Sequence, residues 1–165
     1  MERQDKKAQF EEKKRSGLIP LLALGLVLVA TAATAWVLWG GSGSAREVRA
    51  VNGQISIPLT EVSDGKAHFF TYRSGSTNVG FFVLKSGDGV VRAALDTCDV
   101  CYKDKKGYRQ EGEFMICNNC DQQFRSDRIN EIRGGCNPVP LERTIAGDRL
   151  LLSEAELVGG TRYFQ

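Results

Sequence analysis

The hydrophobic pattern divides the chain into three parts. Residues 1–17 mix cationic and acidic side chains, and residues 18–39 carry no charge and are mostly Leu, Val and Ala. From residue 47 onward, short apolar runs alternate with Gly, Asn and Asp turns. The uncharged run, taken as a helix, reaches about 33 Å, enough to cross a hydrocarbon core of about 30 Å. Trp36 and Trp39 stand at one end, where amphipathic rings favour the membrane interface, and Pro20 fits a first helical turn. The pattern therefore predicts a single N-terminal transmembrane helix. A cleaved signal peptide is the competing reading, with Thr31, Ala32, Ala33, Thr34 and Ala35 as small residues for a peptidase. The run exceeds the roughly 7–15 residues of a signal's apolar region, which favours the uncleaved anchor. Residues 40–46, opening Gly-Gly-Ser-Gly-Ser, have the composition of a flexible linker.

Beyond the linker the periodicity predicts strands. Residues 48–59 carry apolar positions around an Asn52-Gly53 turn; residues 67–73 are aromatic and favour strand; residues 79–85 are almost wholly apolar and suit a strand buried on both faces. Asp88-Gly89 precedes an apolar run at 90–95 and reads as a hairpin turn. Residues 108–109 and 114–116 can pair as short strands, while periodicity leaves 124–132 undecided between strand and helical turn. A last hairpin is expected around 146–148, between 141–145 and 150–152. Ser153 and Glu156 have capping-box spacing and predict a short helix, after which Tyr163 and Phe164 are expected to return to the core. The whole is a small β-rich (α+β) domain over 47–165, large enough for one modest core.

Charge then fixes the expected orientation. Arg3, Lys6, Lys7, Lys13, Lys14 and Arg15 precede the span, and only Arg46 and Arg49 follow it closely. The excess of Lys and Arg places the N-terminus in the cytoplasm and the domain outside, periplasmic in a bacterium with two membranes. After residue 40 the chain carries 16 Lys and Arg against 16 Asp and Glu. A neutral domain without a basic stripe excludes a nucleic-acid footprint.

The chemistry lies in the cysteines. Cys98 and Cys101 form one CxxC pair, Cys117 and Cys120 a second, 15 residues apart, and Cys136 follows in Gly-Gly-Cys-Asn-Pro. A CxxC turn directs two thiolates at one ion, and the spacing of the pairs is that of a four-sulfur metal site. Two such loops supply four sulfurs, enough for a tetrahedral zinc or iron site. Covalent haem attachment would need His after a CxxC, where Tyr102 and Asp121 stand. Structural disulfides leave one of five cysteines over, and a thiol–disulfide enzyme would want a CxxC opening a helix in a βαβ setting. Thiolates accept both zinc and iron. Zinc makes the domain a structural or binding module; iron or an iron–sulfur cluster makes it a redox centre, with Cys136 as a further donor. His68, the only histidine, shares a predicted strand face with Phe70 and Tyr72; it is read chiefly as a satisfied, partly buried residue and secondarily as a metal ligand. Met115 is read as core.

The stretches Ala-Ala-Leu-Asp-Thr-Cys-Asp-Val-Cys-Tyr (93–102), Lys-Lys-Gly-Tyr (105–108), Met-Ile-Cys-Asn-Asn-Cys (115–120) and Gly-Gly-Cys-Asn-Pro-Val-Pro-Leu (134–141) resemble the FtrD-like family of membrane iron–sulfur proteins. Ala67, His68, Phe69 and Phe70, and Phe81 to Val83, are similar to its upstream pattern. The resemblance spans about residues 50–165. It implies an anchored extracytoplasmic domain with Cys98, Cys101, Cys117, Cys120 and Cys136 as centre residues, and it strengthens His68 as a ligand candidate. Some relatives resemble components of bacterial iron-uptake systems, where electrons are exchanged as iron moves. Many relatives carry several spans where this chain shows one, which counts against a self-contained membrane electron conduit. The expectation is therefore a redox carrier or accessory protein of a bacterial iron-transport system at the inner membrane, partnered by the bilayer and other membrane components. A zinc-stabilised module and a thiol–disulfide oxidoreductase stand as alternatives.

Overall fold

Runs of β-branched and aromatic residues build a central, mostly antiparallel sheet in the computed structural model, which describes residues 45–165. The expected cytoplasmic segment (1–17), the span (18–39) and most of the linker lie outside the described residues. Among the described residues no helix is long and apolar enough to cross a membrane. The sheet centres on β3 (His68–Ser74), β4 (Thr77–Lys85) and β5 (Val91–Cys98), in a register that sets Phe70 beside Phe81 and Phe81 beside Leu95. Its edges are β1 (Arg46–Val48), parallel to β3, and β9 (Pro138–Pro140), antiparallel to β5. The first strand thus begins at Arg46, inside the stretch expected to be linker. The β9 strand was not expected, because a segment with Pro at two of three positions reads as turn; Pro is tolerated here at a sheet edge.

Alternation along these strands makes two separate cores. On one face Phe70, Tyr72, Val79, Phe81, Val83, Ala93 and Leu95 pack with Ile55, Ile57, Leu150 and Leu152. The last four come from a second sheet of β2 (Gln54–Pro58), β10 (Arg143–Ala146) and β11 (Arg149–Ser153). Leu157 of the short helix α1 (Glu154–Gly159) and the returning Tyr163 close this core, with Phe164 packed against it. On the other face Phe82, Leu84, Ala94 and Cys98 pack with Tyr108, Met115, Cys117 and Ile129. This layer is a third sheet of β6 (Tyr108–Glu111), β7 (Phe114–Cys117) and β8 (Gln123–Arg125). β4 is buried on both sides, which is what its unbroken apolar run requires. The stretch left undecided by periodicity is β8 followed by one 3₁₀ turn, Ser126–Arg128.

One expected device is absent. The Ser153 side chain makes no capping hydrogen bond to α1. Glu156 instead accepts the backbone N–H of Glu142 at 2.8 Å, so the acid pins the entry to β10. Spacing alone finds a capping box wherever a Ser and an acid lie three apart; here a nearer donor competes for the carboxylate.

Arg92, on β5, is a buried cation with every arm engaged. It donates to Ser86 Oγ at 2.9 Å, to the Ile129 carbonyl at 2.7 Å, to Glu131 at 2.9 Å and to Asp88 at 2.6 Å. Burying a charge costs free energy unless it is paired and hydrogen-bonded, and these partners supply that. Asn130, at positive φ, donates to the Ala93 carbonyl at 2.7 Å and accepts the Ala93 N–H at 3.1 Å. Together they fasten the loop leading to Cys136 onto the central sheet.

Candidate metal centre

Three stretches of chain bring four of the cysteines into or against the second core, and Cys120 stands exposed beside them. Cys98 ends β5 and is 1% exposed, and Cys117 ends β7 and is also buried. Cys101 precedes the 3₁₀ turn Tyr102–Asp104, where its backbone N–H donates to Cys98 Sγ at 3.1 Å, the bond expected of a CxxC loop closing on its first sulfur. The second loop closes when Asp121, at φ +55°, donates its N–H to the Cys117 carbonyl at 2.9 Å. Cys136 arrives from the far side. Gly134 and Gly135 both hold positive φ, a region open to Gly without steric cost, and the β5–β9 ladder sets Pro138 opposite Cys98. Tyr108 OH donates to the Cys136 carbonyl at 2.6 Å and holds that bend.

The five thiols converge, but as two triads. Cys98, Cys101 and Cys136 form one, and Cys101, Cys117 and Cys120 the other, with the sulfurs of each triad within 4.8 Å of one another. Cys101 belongs to both. Its sulfur lies 3.8 Å from that of Cys136, so these two are free thiols rather than a disulfide. All five cysteines of the expected donor set are thus brought together, with Cys136 placed beside Cys101. Spacing within a CxxC does not report where a fifth thiol lands.

His68 is not brought to the cysteines. It shares its face of β3 with Phe70 and Tyr72, whose side chains enter the first core, whereas Cys98, Cys101, Cys117 and Cys136 lie in or against the second. Its Nε2 meets Asp64 Oδ1 at 2.7 Å, a satisfied, partly exposed histidine. Met115 is fully buried and belongs to the second core, as expected.

Several residues to which the sequence reading gave no role organise the centre. Asp96 lies one side-chain repeat before Cys98 and accepts the Tyr108 N–H at 2.7 Å. Gly107 presses on it: a Cβ at Gly107 would lie 2.7 Å from Asp96 Cγ. The Gly107 carbonyl accepts the Asn118 N–H at 3.0 Å, and Asn118 Nδ2 donates to the Lys106 carbonyl at 2.9 Å, so one tight turn joins the two knuckles. Asn119 Nδ2 donates to Asp104 at 2.8 Å across the same gap. The available signal was an acid in an otherwise apolar strand and a Gly before Tyr108.

The electrostatics separate the thiols. A hydrogen bond with the Asn119 side chain holds the Cys101 thiol below its ordinary range. Burial pushes Cys117 up to about 11 and Cys136 up to about 12, the latter helped by the neighbouring Cys120 and Cys101. Burial also raises Asp96 to about 6, against the Tyr108 N–H, and lifts the Tyr108 hydroxyl far above its usual value beside Cys98. A bound cation reverses this preference, because a coordinating thiol is deprotonated outright. Loading the centre therefore releases protons, and affinity falls as pH falls.

The donor set fits a metal. Sulfurs on one tetrahedral ion at the usual metal–sulfur length of about 2.3 Å stand about 3.8 Å apart, so either triad closes by shifts of an ångström or less. All five donors are soft thiols, suited to iron, iron–sulfur and zinc rather than to oxygen-seeking ions.

The family model described as "Membrane iron-sulfur containing protein FtrD-like" matches residues 62–164, which includes all five cysteines. No curated protein matches the chain. Among solved structures, the quaternary ammonium Rieske monooxygenase CntA in complex with an inhibitor aligns at 14% identity with a TM-score of 0.40, over 67% of this chain and 32% of that one. The chain thus spans about a third of that structure's length.

Proposed function

Because this chain belongs to the FtrD-like family of membrane iron–sulfur containing proteins, we propose that its domain is an anchored, extracytoplasmic iron or iron–sulfur protein. It would exchange electrons, or assist their exchange, within a bacterial iron-transport system. The observation that carries this reading is the convergence of five thiols, including one from outside both CxxC loops. A zinc knuckle that serves only to hold a fold needs four thiolates and no fifth. An iron centre bound there supplies one-electron chemistry. The protein residues hold the donors at graded depth: Cys98 and Cys117 are buried, Cys101 and Cys136 half-buried, and Cys120 exposed. An exposed donor brings one edge of the centre to the surface, where a redox partner can approach. Val100, between the first two cysteines and 62% exposed, adds an apolar side chain on the surface beside Cys101.

Metal and sulfide analysis of the full-length protein, purified without oxygen, tests the reading. Iron with thiolate-to-iron charge-transfer absorption is expected. A colourless protein with stoichiometric zinc would move the function to a structural or binding module. A second reading has its own observation: the lowered Cys101 thiol lies 3.8 Å from Cys136, a pair suited to thiol–disulfide exchange. Metal-free protein that forms a reversible Cys101–Cys136 disulfide and passes it to a dithiol substrate would favour that reading.

The anchor and orientation rest on the uncharged run at 18–39 and the Lys and Arg excess before it. A periplasm-dependent reporter fused after residue 45 is expected to be active and a cytoplasm-dependent one silent. The reverse pattern would overturn the topology.

A further inference from the structure

We propose that Tyr163 is a positioning residue of the centre, whose hydroxyl latches the C-terminal turn onto Asp99 inside the first CxxC loop and so tunes the reduction potential. The inference rests on the iron reading above and names a residue that acts on it from outside the donor set. Tyr163 ends the 3₁₀ turn Gly160–Tyr163 and is buried in the first core. Its OH donates to Asp99 Oδ1 at 2.6 Å. Arg162 Nη2 donates to the same hydroxyl at 3.0 Å, and its guanidinium lies 4.8 Å from the centre of the Tyr163 ring. Tyr102, which follows Cys101, meets that ring edge-on with centroids 5.7 Å apart.

Three observations give this contact a role beyond packing. The first is placement. Asp99 follows Cys98 and Tyr102 follows Cys101, so the turn grips the first loop at both of its ends. The backbone between those two grips sets where the two sulfurs point. The second is rigidity. The turn lies hard against β5, where a Cβ at Gly160 would stand 2.8 Å from Leu95 Cδ1. The first core, which contains no cysteine, thus reaches the first knuckle through Tyr163. The third is charge. The reduction potential of an iron centre responds to the net charge and hydrogen bonding around its sulfurs, and partners outside the ligand set tune it. Asp99 places a carboxylate next in the chain to Cys98, and a negative charge there opposes the uptake of an electron. The Tyr163 hydroxyl holds that carboxylate on the side of the C-terminal turn, with the Arg162 guanidinium close by to offset it. Without the hydroxyl the carboxylate is free to turn toward the sulfurs.

Tyr163→Phe and Asp99→Ala, singly and together, test the proposal in the full-length protein, kept anaerobic in detergent. Tyr163→Phe removes one hydroxyl and keeps the ring in the first core. In metal-free protein it should quicken amide hydrogen exchange at residues 99–101 several-fold, because local opening follows the contacts that hold a segment. In iron-loaded protein, a redox titration followed by visible absorption should give Tyr163→Phe a lower midpoint potential than the wild type. Asp99→Ala removes the carboxylate and should raise it. In the double variant the hydroxyl's loss has nothing left to release, so its potential should match that of Asp99→Ala. Wild-type exchange and wild-type potential in Tyr163→Phe overturn the latch and leave the iron reading standing. A fall of equal size with and without Asp99 also overturns it, since the hydroxyl then acts elsewhere. A wild type that takes up no iron overturns the iron reading and the tuning with it. If Tyr163→Phe fails to fold, Asp99→Ala decides, because Asp99 is exposed: an unchanged potential in that variant overturns the proposal.

Discussion

Cys98→Ser is expected to destabilise the domain both with and without metal, whereas Cys120→Ser is expected to matter only when metal is present. Both cysteines belong to the thiol cluster, but their surroundings differ. Cys98 lies in the second core among Phe82, Leu84, Ala94 and Tyr108, and Cys120 is exposed. A hydroxyl placed in that apolar position costs about 1–3 kcal/mol before any ion is considered. At the exposed position the same change stays within about 0.5 kcal/mol. With metal, each variant also loses a donor, and structural thiolate sites draw apparent binding energies of about 10–16 kcal/mol that are largely folding energy. Thermal melting of loaded and chelated proteins separates these contributions. The loaded wild type should melt well above both loaded variants. Among chelated proteins only Cys98→Ser should fall below the wild type, by several degrees. If loaded Cys120→Ser melts with the wild type, Cys120 is no ligand.

Gly107→Ala should be the most damaging single methyl addition near the centre. The residue sits at φ +63°, where an L side chain is strained, and its new Cβ would meet the Asp96 carboxyl. The left-handed conformation alone costs about 1–2 kcal/mol. The carboxyl cannot easily retreat, because it accepts the Tyr108 N–H. A total loss of about 3 kcal/mol or more is expected, read from the denaturant midpoint of the metal-free domain. Metal affinity should fall as well, since the Gly107 carbonyl steadies Asn118 between Cys117 and Asn119. Gly112→Ala is the control: it also has positive φ, but nothing lies within 4 Å of the added Cβ. It should cost only the backbone strain. Equal losses in the two variants would mean that the contact with Asp96 is unimportant.

The strands that pack on both sides were legible because burial imposes composition. Residues 79–84 have no polar face to show, and β4 is covered by both cores. The β3–β4 and β10–β11 hairpins were legible because Gly75 and Gly147 occupy positive-φ turns. β9 was hidden by its prolines, and the parallel pairing of β1 with β3 follows no local rule, since it joins residues more than twenty apart. At the centre, residue type and spacing singled out the cysteines but not how they would group. Cys136 is near Cys98 because β9 lies beside β5, a long-range pairing that no short motif encodes. His68 shows the opposite limit. Its chemistry qualified it as a ligand, and the parity of one strand sends it to the other side of the sheet.

The separation of the two cores also bears on how such a protein matures. The first core contains no cysteine and joins the central sheet to β2, β10, β11 and the C-terminal turn. Its assembly makes no demand on metal supply. A newly made chain can therefore bury that face while its thiols are still empty, and the face under β6, β7 and β8 remains the part that awaits metal. Insertion of metal then completes a prepared cradle rather than starting the fold. An unloaded molecule would then keep its cysteine-free face packed, with the thiols gathered toward the other face, where a metal donor must reach them.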